Sequence, residues 1–229
     1  MKNTLLAIKK VSALTDKLIL FTSITGKDSI VSLDLCAPFF KEILCVYMFK
    51  VPGLKYEEKY KQWAERKYSN VKFIETPHPC LVSYIKTGFL GIKKDKSIKN
   101  ITLQKIIDNI KLSNPGFEWV CFGQKQRDSI QTKFLLNRDD VEYHIICHKT
   151  KKFYPLSGWS QDNVLNYIKS KNLIQPVKYN DDKSQSTEIH TIDYLLWVKK
   201  NSPEDLKIIF KYFPVTKIKL FEYEYYKTK

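Results

Sequence analysis

"FTSITGKDSIVSLDL" (Phe21 to Leu35) sets a glycine, a lysine, an aspartate and several hydroxyl side chains between two apolar runs. Leu18 to Phe21 is short and apolar and stops at the polar segment Thr22 to Asp28. Beyond it, Ile30, Val31, Leu33 and Leu35 fall on one helical face. The pattern predicts a strand, a loop and a helix. Gly26 allows close backbone approach, Lys27 adds a cation, and Asp28-Ser29 open a helix whose free N–H groups point at an anion. The loop has neither Walker A spacing nor GxGxxG. A helix start favours Asp and Ser on its own account, so a pyrophosphate cradle and an ordinary helix start both stand at this level.

Further along, the same alternation recurs. "EILCVYMF" (Glu42 to Phe49) reads as a second strand stopped by Pro52-Gly53. Tyr56 to Ser69 has Tyr56, Tyr60, Trp63 and Lys67 at helical spacing. "VKFIET" (Val71 to Thr76) is a third strand closed by "PHP". After the lysine-rich "GIKKDKSIKN", Leu103, Ile106, Ile107 and Ile110 predict a helix over Thr102 to Ser113. "EWVCFG" (Glu118 to Gly123) is a fourth strand and "YHIICH" (Tyr143 to His148) a fifth. Ser157 to Asn172 is a helix capped by Ser157 or Ser160, and two more helices follow, over Thr191 to Lys200 and from Pro203 onward with Ser202 as cap.

Strands alternating with helices predict a doubly wound α/β fold with a mainly parallel five-stranded sheet and a small helical C-terminal appendage. The handedness of crossovers lets strands one and four sit side by side, with strands two and three on the other flank. Ligands in such sheets bind beyond the carboxyl ends of strands, where strand order reverses. Ser23 to Ser29 and Gly123 to Ser129 ("GQKQRDS") are the loops that fit that crevice.

At 229 residues and 43% hydrophobic content the chain can bury a sizeable core. No stretch reaches the apolar length of a spanning helix, so a protein without membrane association, cytoplasmic and unprocessed, is expected. Five cysteines without CxxC pairs fit a reducing compartment, and their long gaps lead us to expect no iron–sulfur cluster. A net charge of +15 attracts polyanions, nucleotide and nucleic acid (tRNA or DNA) alike, although lysine-rich usage also yields solvated faces. Lys149, Lys151 and Lys152 form a basic cluster expected beside the crevice. His78, His144 and His148 lack metal-ligand spacing and read as structural. Tyr154 and Trp159 suit either packing or stacking on a base. Cys80, in "TPHPC", is the candidate thiol, against the plainer reading of an incidental cysteine.

"TGKDSIVSLDL" resembles the PP-loop of the adenine nucleotide alpha-hydrolase group, in the version of the phosphoadenosine phosphosulfate (PAPS) reductase-like family. "VYMFKVPGLKYEEKYKQW", "FGQKQRDS" and "KKFYPLSGWSQDNVLNYI" resemble that family's further elements in its order, over Leu18 to about Tyr179. The set is similar to the phage and mobile-element members and to the sulfurtransferase subunit of DNA phosphorothioation systems. The resemblance implies a Rossmann-like, HUP-type domain over residues 1–180 with a helical extension, 181–229, packed on it. It also implies ATP, or a PAPS- or APS-like nucleotide, bound by Ser23, Thr25, Gly26, Lys27, Asp28, Ser29, Gly123, Lys125, Arg127 and Ser129. Chemistry would fall at the alpha phosphate, with Lys27, Asp28, Lys125 and Arg127 as the catalytic set. Mg²⁺ is implied as neutraliser, with Asp28 as its ligand or, alternatively, as helix cap; Arg127 either clamps phosphate or pairs with Asp128. A nucleic-acid substrate and a partner subunit are the implied partners.

The departures are equally legible. Ile24 stands where the family usually has serine and Thr25 where a second glycine is common, so Ser23 or Thr25 would have to supply the hydroxyl. Lys125 replaces an arginine and cannot make its bidentate fork. "LFEYEYYKTK" lacks the cysteine of assimilatory reductases. Three readings follow: an ATP pyrophosphatase or adenylylating enzyme, with sulfur transfer to nucleic acid as one outcome; a sulfonucleotide reductase using a non-standard thiol such as Cys80; and a non-catalytic nucleotide sensor.

Overall fold

The computed structural model describes residues 2–178 and 188–227. The expected domain boundary at residues 180 and 181 lies outside them. The chain divides into two compact units, one formed by residues 1–48, 60–75 and 108–176, the other by 49–59, 76–107 and 177–229.

The first unit is built on a sheet whose four longer strands are β1 (Lys17–Thr22), β2 (Glu42–Phe49), β3 (Val71–Pro77) and β4 (Trp119–Phe122). Three short strands complete it, β5 (Val141–Glu142), β6 (Ile146–Cys147) and β7 (Lys152–Phe153), in the order β3-β2-β1-β4-β7-β6-β5. β1 pairs in parallel with both β2 and β4, an arrangement the handedness of crossovers allows. The sheet therefore has seven strands, not five. The expected fifth strand, Tyr143 to His148, is broken because Tyr143 and His144 turn the chain at positive φ (56° and 57°), leaving Ile146–Cys147 antiparallel to both neighbours. The parallel strand beside β4 is instead β7.

The α-helices among the described residues are α1 (Lys2–Leu14), α2 (Lys27–Cys36), α3 (Lys55–Lys67), α4 (Pro79–Thr87), α5 (Leu103–Ser113), α6 (Ile130–Leu136), α7 (Gln161–Ser170), α8 (Ile192–Asn201), α9 (Pro203–Tyr212) and α10 (Val215–Lys227). On one face of the sheet, alternate residues Leu18 and Leu20, Ile43 and Cys45, and Trp119 and Cys121 share a core with Ala7, Ile8 and Val11 of α1, the apolar side of α2, and Val164 and Ile168 of α7. Ile19, Phe21, Leu44, Val46, Val120 and Phe122 alternate to the other face and are buried as well, which is the signature of a sheet covered on both sides. Ser160 caps α7 in a reciprocal capping box with Asn163, so the helix starts at Gln161, later than Ser157.

The second unit has its own core. Val51, Leu54, Leu81 and Leu90 pack with Leu195 and Val198 of α8, Ile209 of α9 and Leu220 of α10. Asp205 is fully buried there. Its carboxylate accepts from the first free N–H groups of α3, Lys55 at 2.8 Å and Tyr56 at 2.9 Å, and from the Ser202 hydroxyl at 2.7 Å. A helix start is thus capped from a segment about 150 residues away in sequence. Ser202, expected as a cap of α9, makes no side-chain cap bond to it and spends its hydroxyl on Asp205. Among the described residues no helix is long and apolar enough to cross a membrane.

Candidate functional site

β1 and β4 are neighbours in the sheet although β2 and β3 lie between them in sequence, and β2 flanks β1 on its other side. Their carboxyl ends form the place where strand order reverses. The loops leaving them at Ser23 and Gly123 meet there, within the first unit.

Gly26 is the N-cap residue of α2, in extended conformation and without a side-chain cap bond. Asp28 therefore sits inside the first turn and is not the cap. Its carboxylate reaches across to the second loop instead: Oδ2 lies 2.8 Å from Lys125 Nζ and 3.5 Å from Lys27 Nζ. Lys125 Nζ is also 3.1 Å from Asp128 Oδ1, while the Lys125 N–H donates to Asp128 Oδ2 at 2.7 Å. With its side chain only 6% exposed, Lys125 is a buried cation held by two carboxylates, one from the first turn of α2 and one from its own loop. Asp128 is committed to Lys125, and Arg127 next to it lies exposed.

The glycines are where the loops approach closely. A Cβ on Gly26 would stand 2.2 Å from Ser23 Oγ, and one on Gly123 would stand 3.2 Å from Ser32 Oγ and 3.3 Å from the Asp28 carbonyl oxygen. Gly26→Ala should therefore push the Ser23 hydroxyl away from its 3.3 Å contact with Ser29 Oγ and cost about 1 to 3 kcal/mol. Denaturant titration checks this, and Ser23→Ala in the same chain should recover most of the loss.

Ile24 has φ of 31°, a left-handed conformation rarely adopted by β-branched residues, yet it is only 5% exposed. It lines a cleft with Thr22, Ser29, Tyr60, Trp63 and Phe73. Holding such a φ costs about 1 to 3 kcal/mol, and burying the side chain contributes about 1.5 to 3 kcal/mol. The two are of one size, so burial is large enough to offset the strain. The remaining space is about 10 Å³, room for about one water and none for a purine.

Asp28 Oδ1 and Ser32 Oγ are buried without a hydrogen-bond partner. Orphaned polar atoms at a glycine-lined loop junction are the ones a ligand would complete. A magnesium ion takes one or two protein carboxylates and draws its other oxygens from phosphate and water. Asp28 fits that role. Among the described residues no group of three or more metal-binding side chains exists.

The other expected residues fall as follows. Ser29 is buried, and its hydroxyl accepts the Ser23 N–H at 2.9 Å. Ser129 caps α6 by accepting the Thr132 N–H. Thr25 is half-buried. Cys80 is the one exposed thiol among the five and lies in the second unit, in the first turn of α4. The thiols of Cys45 and Cys121 are pushed well up by burial, with Cys36 adding to it. Tyr154 and Trp159 are structural: Tyr154 stacks on Phe122, and the Trp159 indole donates to the Thr4 hydroxyl. The lysine cluster is displaced from its expected place. β7 runs parallel to β4, so the turn of Lys149 and Lys151 lies at the amino end of β4, opposite Gly123; Lys151 pairs there with Glu118. Two contributors escape sequence reasoning. Ser32 looks like a helix-interior serine, and Ser157 receives both the backbone and side-chain N–H groups of Gln126, tying "YPLSGW" to the second loop.

Fold and site together define an α/β protein whose two glycine-bearing loops converge at the switch point of a mainly parallel sheet. No family model matches the chain, and no curated protein does. Among solved structures it is similar to the NH3-dependent NAD synthetase from Campylobacter jejuni subsp. jejuni NCTC 11168 in complex with the nitrate ion, with a TM-score of 0.48 and 16% identity over 96% of this chain and 91% of that one.

Proposed function

We propose that this protein binds ATP or a related adenylyl nucleotide at the junction of the Ser23–Ser29 and Gly123–Ser129 loops and acts at its alpha phosphate, as a PP-loop protein of the PAPS reductase-like kind. The observation that carries the reading is the convergence of two glycine-bearing loops at the switch point, with buried Lys125 between them and Asp28 Oδ1 left without a partner. In this role Gly26 lets the Ser23 hydroxyl sit over the start of α2, the first-turn N–H groups of α2 receive the phosphates, and Lys27, Lys125 and Arg127 balance charge that develops at phosphorus. Magnesium, held by Asp28, would supply further charge neutralisation. The protein's contribution is positioning and electrostatics, because displacement at phosphorus needs little covalent help.

Incubation with labelled ATP and Mg²⁺ should yield AMP and pyrophosphate, with a nucleic-acid acceptor as one condition. The Lys27→Ala, Asp28→Ala double variant should lose ATP affinity while staying folded; unchanged affinity would remove the site. A second reading is favoured by one observation: Lys125 is already neutralised by Asp28 and Asp128, as in a site that binds without turning over. ATP binding without AMP release, with or without nucleic acid, would select that sensor. Sulfite release from PAPS with a thiol present, lost in Cys80→Ser, would select the reductase.

A further inference from the structure

We propose that Ile24 is a positioning residue for the nucleotide loop: its buried side chain pins the left-handed bend and so preforms the cradle. The inference rests on the nucleotide-binding reading above. By sequence, Ile24 stands where the family's hydroxyl is missing. In the structure it does a different job, because its side chain is turned inward, 5% exposed, and seated among Tyr60, Trp63 and Phe73 of α3 and β3. The bend it holds is braced at both ends. The Ile24 N–H donates to the Thr22 hydroxyl at 3.0 Å, and the Gly26 N–H donates to the Ser23 carbonyl at 2.9 Å.

This bend places Ser23 over Gly26 and against Ser29, so the Ser23 hydroxyl lies at the mouth of α2, beside the N–H groups that face an anion. A loop with glycine at this position would reach the same shape at no steric penalty but would also sample many others. Ile24 accepts a strained φ in exchange for a fixed one, and the apolar seat keeps it there. A preformed loop spends less of its binding free energy on ordering. Ile24 thus replaces a lost polar contact by restricting the loop, not by touching the phosphate.

The test compares MgATP affinity of Ile24→Gly, Ile24→Val and the parent by calorimetry, with melting temperature as a control for folding. Ile24→Gly should weaken ATP binding at least tenfold, whereas Ile24→Val, which keeps a β-branched anchor, should stay within threefold. Parent-like affinity in folded Ile24→Gly overturns the proposal. Amide exchange of the unaltered protein without nucleotide gives a second readout that does not depend on a variant folding. Protected Ser23 and Gly26 N–H groups are expected, and exchange at open-chain rates overturns it. If the Lys27→Ala, Asp28→Ala protein binds ATP as the parent does, the nucleotide reading fails instead. Loss of binding there with no effect of Ile24→Gly defeats this inference alone.

Discussion

Lys125→Met is expected to lower stability by about 2 to 3 kcal/mol and to abolish measurable ATP binding. The first figure lies between two limits. Removing one partner of a fully buried ion pair costs about 3 to 5 kcal/mol, whereas exposed pairs are worth about 0 to 1 kcal/mol. Lys125 is at the buried limit with 6% side-chain exposure, but Asp28 and Asp128 keep 27% and 39%, so water relieves part of their stranded charge. Methionine retains the stem packing and isolates the loss of the ammonium. A second substitution locates the effect. Asp28→Asn in the Lys125→Met background should recover about half of the stability without restoring ATP binding, because it removes the uncompensated carboxylate and not the need for a cation. Urea denaturation of the four proteins reads the coupling. A single-variant loss under about 0.5 kcal/mol would mean that Lys125 is not held as a buried cation at all.

Asp205→Ala is expected to be more severe, about 4 kcal/mol, and to act on stability rather than on nucleotide affinity per folded molecule. A hydrogen bond to a charged group is worth about 1.5 to 3 kcal/mol. Asp205 makes three, two of them to the opening N–H groups of α3, and it is fully buried. The contributions are not additive, since Ser202 can turn to another acceptor, which brings the sum down. Asp205→Asn keeps one carbonyl oxygen but turns an amide N–H toward a backbone donor, so about half the loss is expected. Denaturant titration of both variants checks the ranking; Asn and Ala variants of equal stability would show that the two N–H bonds do not carry the effect.

Elements whose pattern is local are legible in the amino-acid sequence. β2 spans Glu42–Phe49 as read, α3 and α5 fall within a residue or two of expectation, and Pro203 begins α9. α1 also carries its signal, Ala7, Ile8 and Val11 at helical spacing, but Lys9 and Lys10 break the apolar run and hide it. β5 and β7 have no signal to find, because two residues cannot show a period of two. In the site, the glycines, Lys27 and the two loops are legible, since chain topology alone sends them to one end of the sheet. The partners of Asp28 and Lys125 are not, because 97 positions of sequence separate charges that stand 2.8 Å apart.

What the sequence determined by itself is the alternation of apolar runs and helical stripes. Through the handedness of crossovers, that alternation permits β1 beside β4 with their loops at one end of the sheet, the order the structure has. Only the tertiary structure decided what each side chain there does: that Gly26 and not Asp28 caps α2, that Asp28 is drawn to Lys125, that Asp205 closes the start of α3, and that Ile24 faces a hydrophobic seat. The reason is range. Backbone periodicity is written within a few residues, whereas burial and charge pairing depend on which distant segments the fold brings within a few ångströms.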